Sequence, residues 1–140
     1  MRVMVMIKAT ANSEAGVLPD TGLLAAMGRF NEQLLEAGVL ESGEGLLPSR
    51  RGKRAVHRDD GWVVSDGPFP ATSELVAGFW IWRVASIDEA LEWVRRCPAP
   101  MPGEDAVFEL RPVAEAEDFG EALTPELRAQ EQRLRDQTQR

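Results

Sequence analysis

The strongest strand pattern in the chain is the run Gly-Phe-Trp-Ile-Trp-Arg-Val at residues 78–84. Aromatic and β-branched residues favour strands, and successive side chains of a strand point to opposite faces of its sheet. Trp80 and Trp82 therefore share one face, and Phe79 and Ile81 share the other. Because both faces are apolar, the run predicts a strand that is covered on both sides.

The segments before this strand predict a first strand and a first helix. Residues 3–7 form an unbroken apolar run that is typical of a central strand. A helix is predicted to begin at a capping residue, Asp20 or Thr21, and to end at Gly38, which favours the left-handed C-cap. Its buried stripe has apolar residues at helical spacing, at Leu23, Met27, Phe30 and Leu34.

A second strand and an added hairpin follow the first helix. Residues 39–47 predict the strand. Residues 56–58 and 62–64 predict the hairpin, because the Asp-Asp-Gly sequence between them tolerates the positive φ angles of tight turns. The sequence Asp-Gly-Pro-Phe-Pro at 66–70 contains two prolines that cannot lie in a regular ladder, so it predicts a shaped loop.

The last helix and the last strand complete the order of elements of a known fold. Ser86 and Glu89 form a capping-box pattern that predicts a second helix, which ends before Pro98, and residues 107–111 predict the last strand. Strand, helix, strand, strand, helix, strand is the split βαβ order of ferredoxin-like folds. The sequence therefore predicts an α+β subunit with helices on one face of its sheet.

The uncovered face of that sheet predicts a homodimer. We expect Trp80 or its neighbours on this face, and soluble proteins rarely expose a wide apolar surface. Packing against the same face of a second chain would cover it symmetrically.

The length of 140 residues predicts one core. The character of the sequence changes after Pro112, so the domain is expected at residues 1–113. Residues 114–140 predict an extension that is either a helical arm or a frayed tail. Thr124 and Pro125 can begin a helix there, but Leu127 and Leu134 are its only large apolar residues.

Charge and cysteine content exclude several classes of protein. The net charge of −7 disfavours nucleic-acid binding, and the one basic patch, at residues 50–54, is interpreted as a solvated loop. Cys97 is the single cysteine, so an intrachain disulfide is impossible, and it is interpreted as a small core residue. No run of residues is apolar enough for a membrane span, and a cytoplasmic location is expected.

Several short motifs resemble one protein family. The Asp-Gly-Pro-Phe sequence at 66–69, followed by Glu74 and by Gly-Phe at 78–79, resembles the DGPF signature of the YCII-related family. Similar matches are Gly-Glu-Gly-Leu at 43–46, Ser-Ile-Asp-Glu-Ala at 86–90 and Glu-Leu-Arg-Pro at 109–112. The resemblance covers about residues 1–113. It implies a dimeric α+β barrel of ferredoxin-like subunits.

The chain departs from the family pattern at two places. Residues 70–74 read Pro-Ala-Thr-Ser-Glu where the family usually has Ala-Glu-Thr-Lys-Glu. Relatives nearer YCII itself have a histidine near the start of the first helix, whereas the single histidine here is His57 on the hairpin. Members of the family also resemble gene neighbours of extracytoplasmic-function sigma factors.

Asp66 and His57 are the candidate catalytic residues. Asp66 lies at a Gly-Pro loop where a carboxylate can act as general base or ligand acceptor, and its alternative role is to cap the turn. His57 has the one side chain with an unperturbed pKa near neutrality, and its alternative is an exposed surface histidine.

Other residues could line a ligand site. Glu44, Glu74, Glu109 and Arg111 could converge at a cleft, with Arg111 binding a carboxylate, or could form ordinary ion pairs. Trp80 could form an aromatic wall, although a core or interface role is commoner. One histidine and one cysteine do not make a metal site, and no cofactor motif is found.

Two classes of function remain open. The chain could bind or convert a small molecule in a cleft of the homodimer. Alternatively, as the resemblance implies, it could be a non-catalytic regulatory or interaction protein linked to sigma-factor transcription.

Overall fold

The computed structural model describes residues 1–100 and 103–139. In chain order its helices and strands are β1 (Arg2–Lys8), α1 (Ala11–Glu14), α2 (Thr21–Glu36), β2 (Leu40–Gly45), β3 (Lys53–Arg58), β4 (Gly61–Asp66), β5 (Val76–Arg83), α3 (Ile87–Val94), β6 (Phe108–Pro112) and α4 (Pro125–Thr138). Short 3-10 helices span Ser49–Arg51, Thr72–Glu74 and Ala116–Ala122.

Four strands form one antiparallel sheet in the order β2-β5-β1-β6. Val3 pairs with Trp82 and Val5 with Trp80, so these four side chains share one face. The predicted α+β class, the four strands and the two main helices are confirmed.

The core lies on the face of the sheet that both α2 and α3 cover. Val3, Val5 and Trp82 are completely buried there, and Trp80 is 5% exposed. Phe30 of α2 packs edge-on against both tryptophans, with ring centroids 5.9 and 6.3 Å away. Apolar contacts of this kind are the main source of folding free energy.

The opposite face of the sheet, here called the open face, carries the neighbours of these core residues. It contains Met4 and Met6 of β1 with Phe79 and Ile81 of β5, which pair across the strands and are half-buried. Trp80 or its neighbours were expected on this face. The neighbours lie there, whereas Trp80 faces the helices because the strand alternation places it with Trp82.

Helix capping follows the predictions with one difference. Asp20 caps α2, and its Oδ1 accepts a hydrogen bond of 2.8 Å from the Leu23 N–H. Ser86 caps α3 by accepting from the Glu89 N–H, but the Glu89 carboxylate accepts from the Ala85 N–H instead of the predicted Ser86 N–H.

Two further regions lie outside the central sheet. Strands β3 and β4 pair with each other in a separate two-stranded sheet, which confirms the predicted hairpin. The extension contains α4, and residue 140 of the predicted segment lies outside the described residues. The short helix α1, capped by Thr10, was not predicted because its four residues were interpreted as loop.

In the described part of the chain, no helix is long and apolar enough to cross a membrane.

Candidate functional site

A cleft of about 380 Å³ opens between α2 and the end of the sheet where β2 pairs with β5. Met27 and Asn31 of α2 form one wall, Gly43 and Gly45 of β2 form the other, and Trp80 of β5 lies between them. We call this the Trp80 cleft. Its remaining lining residues are Ile7, Leu40, Glu44, Ala77, Gly78 and Phe79.

The indole of Trp80 is fixed by a hydrogen bond. Its Nε1–H donates to Oδ1 of Asn31 at 3.0 Å. Because a buried donor without a partner costs about 1–3 kcal/mol, this bond both satisfies the indole and fixes the ring orientation. Among the described residues, the Asn31 Nδ2 group has no hydrogen-bond partner, so it remains free to donate.

Glycines shape the opposite wall of the cleft. A Cβ atom at Gly43 would lie 2.5 Å from Cδ1 of Trp80, so a larger residue would displace the indole. A Cβ atom at Gly45 would have no atom within 4 Å, so the missing side chain there leaves open space. The Gly-Glu-Gly sequence therefore allows the close approach of β2 and also keeps the cleft open.

Glu44 and Trp80 are the two predicted site residues that line this cleft. Glu44 pairs with Phe79, however, and cross-strand partners share a face. Its carboxylate therefore lies on the open face. Glu44 lines the cleft through its place in β2 and not with its carboxylate.

The predicted catalytic residues lie elsewhere, on the hairpin. The Asp66 carboxylate forms an ion pair with Lys53 across the two strands, and its side chain is 74% exposed. His57 is also exposed and lies edge-on to Trp62, with ring centroids 5.0 Å apart. Neither residue lines the Trp80 cleft, and their catalytic roles stay predictions.

Glu74 and Arg111 are not brought to the Trp80 cleft within one chain. Glu74 belongs to the 3-10 helix before β5. Arg111 of β6 forms an ion pair of 3.6 Å with Glu109, and two strands separate β6 from β2. The arginine and Glu44 therefore do not converge in one subunit.

The Asp-Gly-Pro-Phe loop packs on Ser49, a residue that sequence analysis missed. A Cβ atom at Gly67 would overlap the carbonyl oxygen of Ser49. The Phe69 N–H donates to Ser49 Oγ at 3.1 Å, while the Ser49 hydroxyl and N–H both donate to the Glu14 carboxylate. Glu14 and Ser49 thus connect α1, the 3-10 helix Ser49–Arg51 and the Asp-Gly-Pro-Phe loop, and their sequence separation gave no signal of this contact.

Asn31 was also missed, although a signal was present. It directly follows Phe30 and lies four residues after Met27. This spacing places an amide at the border of the predicted buried stripe of α2, where a polar side chain can reach both core and cleft.

A second cleft, of about 700 Å³, lies between the C-terminal extension and one end of the sheet. Arg2 donates two hydrogen bonds to Glu115, of 2.9 and 3.2 Å. These bonds raise the pKa of the Arg2 guanidinium and lower the pKa of the Glu115 carboxyl. The other arginines of this cleft also pair with glutamates, as Arg83–Glu41, Arg128–Glu117 and Arg135–Glu131.

The part of the chain that the structure describes offers no strong candidate for a nucleophile or a metal ion. Burial raises the pKa of the Cys97 thiol to about 11, so the thiol stays protonated at neutral pH. Its neighbours include Sδ of Met27 at 4.0 Å, in agreement with the predicted core role. No group of three His, Cys, Asp or Glu side chains that could hold a metal ion was found within the described residues.

Comparisons with known proteins agree with the resemblance of the sequence motifs. The model of the YCII-related domain matches residues 1–117. An uncharacterised protein of Rhizobium meliloti is 30% identical over 95 residues, which are 68% of this chain and 76% of that protein.

A solved structure was also found. It is 5-chloro-2-hydroxyhydroquinone dehydrochlorinase from Burkholderia phenoliruptrix in complex with 2,5-dihydroxybenzoquinone. The TM-score is 0.49 and the identity 17%, and the match covers 84% of this chain and 97% of that one. On the family match over residues 1–117 and the relative in Rhizobium meliloti, the chain belongs to the YCII-related domain family.

Proposed function

We propose that the chain works as a homodimer that binds a small molecule in the Trp80 cleft of each subunit. The observation that carries this proposal is an apolar cleft of about 380 Å³ with one hydrogen-bonded indole and one free amide donor. Ligand sites are typically concave and mostly apolar, with few polar groups that fix orientation.

The lining indicates the chemistry of the ligand. Ile7, Met27 and Leu40 offer apolar contacts, and the indole of Trp80 offers a flat edge. The Asn31 Nδ2 group can donate one hydrogen bond. The best match is a single-ring or short aliphatic molecule that carries a carbonyl, carboxylate or hydroxyl acceptor, because the cleft is at the small end of known ligand sites.

The homodimer is proposed from the open face of the sheet. Met4, Met6, Phe79 and Ile81 form a half-buried apolar patch on the side of the sheet opposite the core. The strand order β2-β5-β1-β6 supports a ferredoxin-like subunit, and two such subunits packed by their open faces would form a dimeric α+β barrel. Residues of the open face, including Glu44, would then lie at the interface.

Catalysis is a separate question from binding. Asp66 and His57 are both exposed on the hairpin, and Arg111 lies on β6, so they could act on a ligand of a neighbouring subunit. Conversion of the ligand is therefore proposed only for the assembled dimer, and a cytoplasmic location is kept as an expectation.

A thermal-shift screen tests the binding proposal. The library consists of single-ring and short-chain acids, amides and phenols, and a true ligand raises the melting temperature as its concentration exceeds Kd. Gly45→Leu places a side chain in the open space of the cleft, so it should abolish the shift. Gly28→Leu is the matched control, because Gly28 also has open space around it but lies on the exposed side of α2.

The expected result is a ligand that stabilises the wild type and Gly28→Leu but not Gly45→Leu. Equal shifts in all three proteins would place the binding site elsewhere. Asp66→Asn and His57→Gln, assayed for product formation with the same ligand, would separate binding from conversion.

The alternative is a regulatory or interaction protein linked to sigma-factor transcription. One observation favours a macromolecular contact, namely that every residue of β3 and β4 is exposed, including Trp62 at 67%. This alternative would be favoured if the screen finds no ligand and if Gly45→Leu melts at the same temperature as the wild type.

A further inference from the structure

A further cleft, of about 270 Å³, lies between helix α3 and the edge strand β6. Leu91 and Val94 of α3 and Phe108 and Leu110 of β6 line it, together with Cys97 and the Pro-Ala-Pro segment at 98–100. We call it the α3–β6 groove. Its lining is apolar apart from the Cys97 thiol, so the group that fits it is a hydrocarbon and not a polar group.

This groove and the Trp80 cleft lie over the same cross-strand row of the sheet. Ile7 of β1 pairs with Gly78 of β5 on one side and with Phe108 of β6 on the other. Gly78 and Ile7 line the Trp80 cleft, whereas Phe108 lines the groove. Because cross-strand partners share a face, these residues form one continuous floor on the side of the sheet that carries the helices.

One layer of side chains separates the two spaces. Met27 of α2 lines the Trp80 cleft, and its Sδ atom lies 4.0 Å from Sγ of Cys97, which lines the groove. Trp80 and Phe108 meet at the same boundary, with ring centroids 6.2 Å apart. A methionine side chain is unbranched and adapts to its neighbours, so a change of rotamer at Met27 can join the cleft to the groove.

The Trp80 cleft selects the polar end of a ligand that would fill both spaces. The Asn31 amide offers a hydrogen-bond donor there, and none of the described residues that line this cleft is basic. Glu44 adds an acidic residue to the lining. A carboxylate would therefore lose its water without meeting a cation, whereas a ketone or amide oxygen needs only the donor.

The sheet also gives the length of such a ligand. The floor runs from Gly45 of β2 across β5 and β1 to Phe108 of β6. Three strand intervals of about 4.8 Å make this distance about 14 Å, the length of an extended chain of about ten carbon atoms.

We propose that the Trp80 cleft and the α3–β6 groove together bind one uncharged amphiphile. Its carbonyl oxygen accepts a hydrogen bond from the Asn31 amide, and its alkyl tail passes Met27 and lies in the groove. The inference rests on the binding site of the proposed function and adds to it the chemical class of the ligand.

Methyl ketones of two lengths test the tail. Calorimetric titration of the wild type compares 2-hexanone with 2-decanone, which differ only in the length of the alkyl chain. Burial of each additional methylene group raises affinity about fourfold, so 2-decanone should bind on the order of 100-fold more tightly. It should bind with one molecule per chain. Equal affinities would show that the longer tail stays in water, and would overturn the proposal.

The Leu91→Asp variant tests where the tail lies. Leu91 is 40% exposed on α3, so a carboxylate there should leave the chain folded but disrupt the apolar groove. Affinity for 2-decanone should fall by about tenfold or more, while affinity for 2-hexanone stays unchanged. Leu24→Asp is the matched control, because Leu24 is 58% exposed on α2 and lines neither space. This control should bind both ketones as the wild type does, and circular dichroism checks both folds.

The Asn31→Asp variant tests the polar end. The aspartate keeps an oxygen that accepts from the Trp80 indole N–H, but it replaces the Nδ2 donor by a second acceptor. Both ketones should then bind about tenfold more weakly, by the same factor. Decanoate has a charged head on a tail of similar length, and it should bind the wild type more weakly than 2-decanone does. Tighter binding of decanoate would contradict an uncharged ligand.

Cys97 reports on the groove without any variant. Methyl methanethiosulfonate converts the thiol to a mixed disulfide and releases methanesulfinate, and mass spectrometry follows the reaction. Saturating 2-decanone should slow this reaction about tenfold or more, because the tail covers the thiol, whereas saturating 2-hexanone should not. Equal rates with both ketones would place the tail outside the groove.

The outcomes separate this inference from the proposed function. If 2-hexanone binds and 2-decanone binds no better, the Trp80 cleft is a ligand site and the groove is not part of it. If neither ketone binds, the inference is wrong, and if the thermal-shift screen also finds no ligand, the proposed function fails with it. Equal affinities for the two ketones, together with loss of the proposed homodimer in Leu91→Asp, would assign the groove to a second copy of the chain.

Discussion

Gly67 shows why the most specific motif of the sequence need not be the site of chemistry. Its backbone lies against the carbonyl of Ser49, and the Phe69 N–H binds the same residue. Sequence analysis placed Asp66 at this loop as a general base or ligand acceptor, or as a cap of the turn, and in the structure its carboxylate is exposed and paired with Lys53. The glycine and phenylalanine of the motif serve the packing of the loop.

The Gly67→Ala substitution should reduce stability for this reason. The new Cβ would overlap backbone atoms, which cannot rotate away, and such overpacking typically costs about 1–3 kcal/mol. Gly28→Ala is the control, since it has open space in the middle of α2 and should stabilise the chain by up to about 1 kcal/mol. Urea unfolding measures both free energies, and equal stability of Gly67→Ala and wild type would disprove the close contact.

Cys97 should react slowly with thiol reagents. Burial raises its pKa to about 11, whereas the pKa of an unfolded cysteine is about 8.5. At pH 8 the thiolate fraction is then lower in the folded chain, so reaction with Ellman's reagent should be on the order of 100-fold slower than in urea. Similar rates in both states would show that the thiol is accessible and ionised.

Residue roles could be predicted from the sequence only where they follow from alternation or helical spacing. Trp80 and Trp82 were placed on one face of a strand, and the structure agrees. The bond from Trp80 to Asn31 joins positions 49 residues apart, so no local pattern could reveal it. The same reason applies to the contact between Ser49 and Glu14.

At the scale of elements, the C-terminal extension is held to the sheet by charge. Arg2 donates two hydrogen bonds to Glu115, and the Val113 N–H donates to the Arg2 carbonyl at 2.9 Å. The apolar residues of α4 add little, because Leu127 and Leu134 are about half exposed. Attachment of this segment should therefore depend on pH.

The Glu115→Gln variant tests this dependence. Because the Arg2 bonds lower the pKa of Glu115, its carboxylate stabilises the fold above the usual glutamate pKa of about 4.3. That stabilisation is lost as pH falls through the lower folded value. Wild type should therefore melt at a higher temperature than Glu115→Gln at pH 7, and the difference should shrink as the pH falls toward 2.5. A constant difference across this range would contradict a role of the charged carboxylate.

Elements with strong caps and periodicity were predictable. Asp20 and Ser86 begin helices α2 and α3 as expected, and the Asp-Gly turn forms the hairpin. The short helix α1 was not predicted, because four residues are too few for a periodic signal.

At the scale of the whole molecule, the proposed homodimer depends on the open face of the sheet. Ile81 and Met4 pair at its centre. The Ile81→Lys substitution should convert the proposed homodimer to a monomer, because an unpaired ammonium group would be buried at the proposed interface. Leu24→Lys is the control, since Leu24 is 58% exposed on α2. Sedimentation equilibrium distinguishes the two, and an unchanged dimer of Ile81→Lys would exclude this face as the interface.

Fold class and family could be inferred from the sequence, whereas the ligand site could not. Strand and helix order depends on local patterns, but the Trp80 cleft depends on residues of α2, β2 and β5 that meet only in the folded chain. One fold can also serve many functions, so the site must identify the ligand.

The most direct test of small-molecule binding is a ¹H–¹⁵N correlation spectrum of the wild type, titrated with the best compound of the thermal-shift screen. The indole N–H signal of Trp80, the side-chain amide of Asn31 and the backbone signals of Gly43 and Gly45 should shift together, with one dissociation constant. Shifts confined to the hairpin, with the Trp80 indole signal unchanged, would contradict the proposed site.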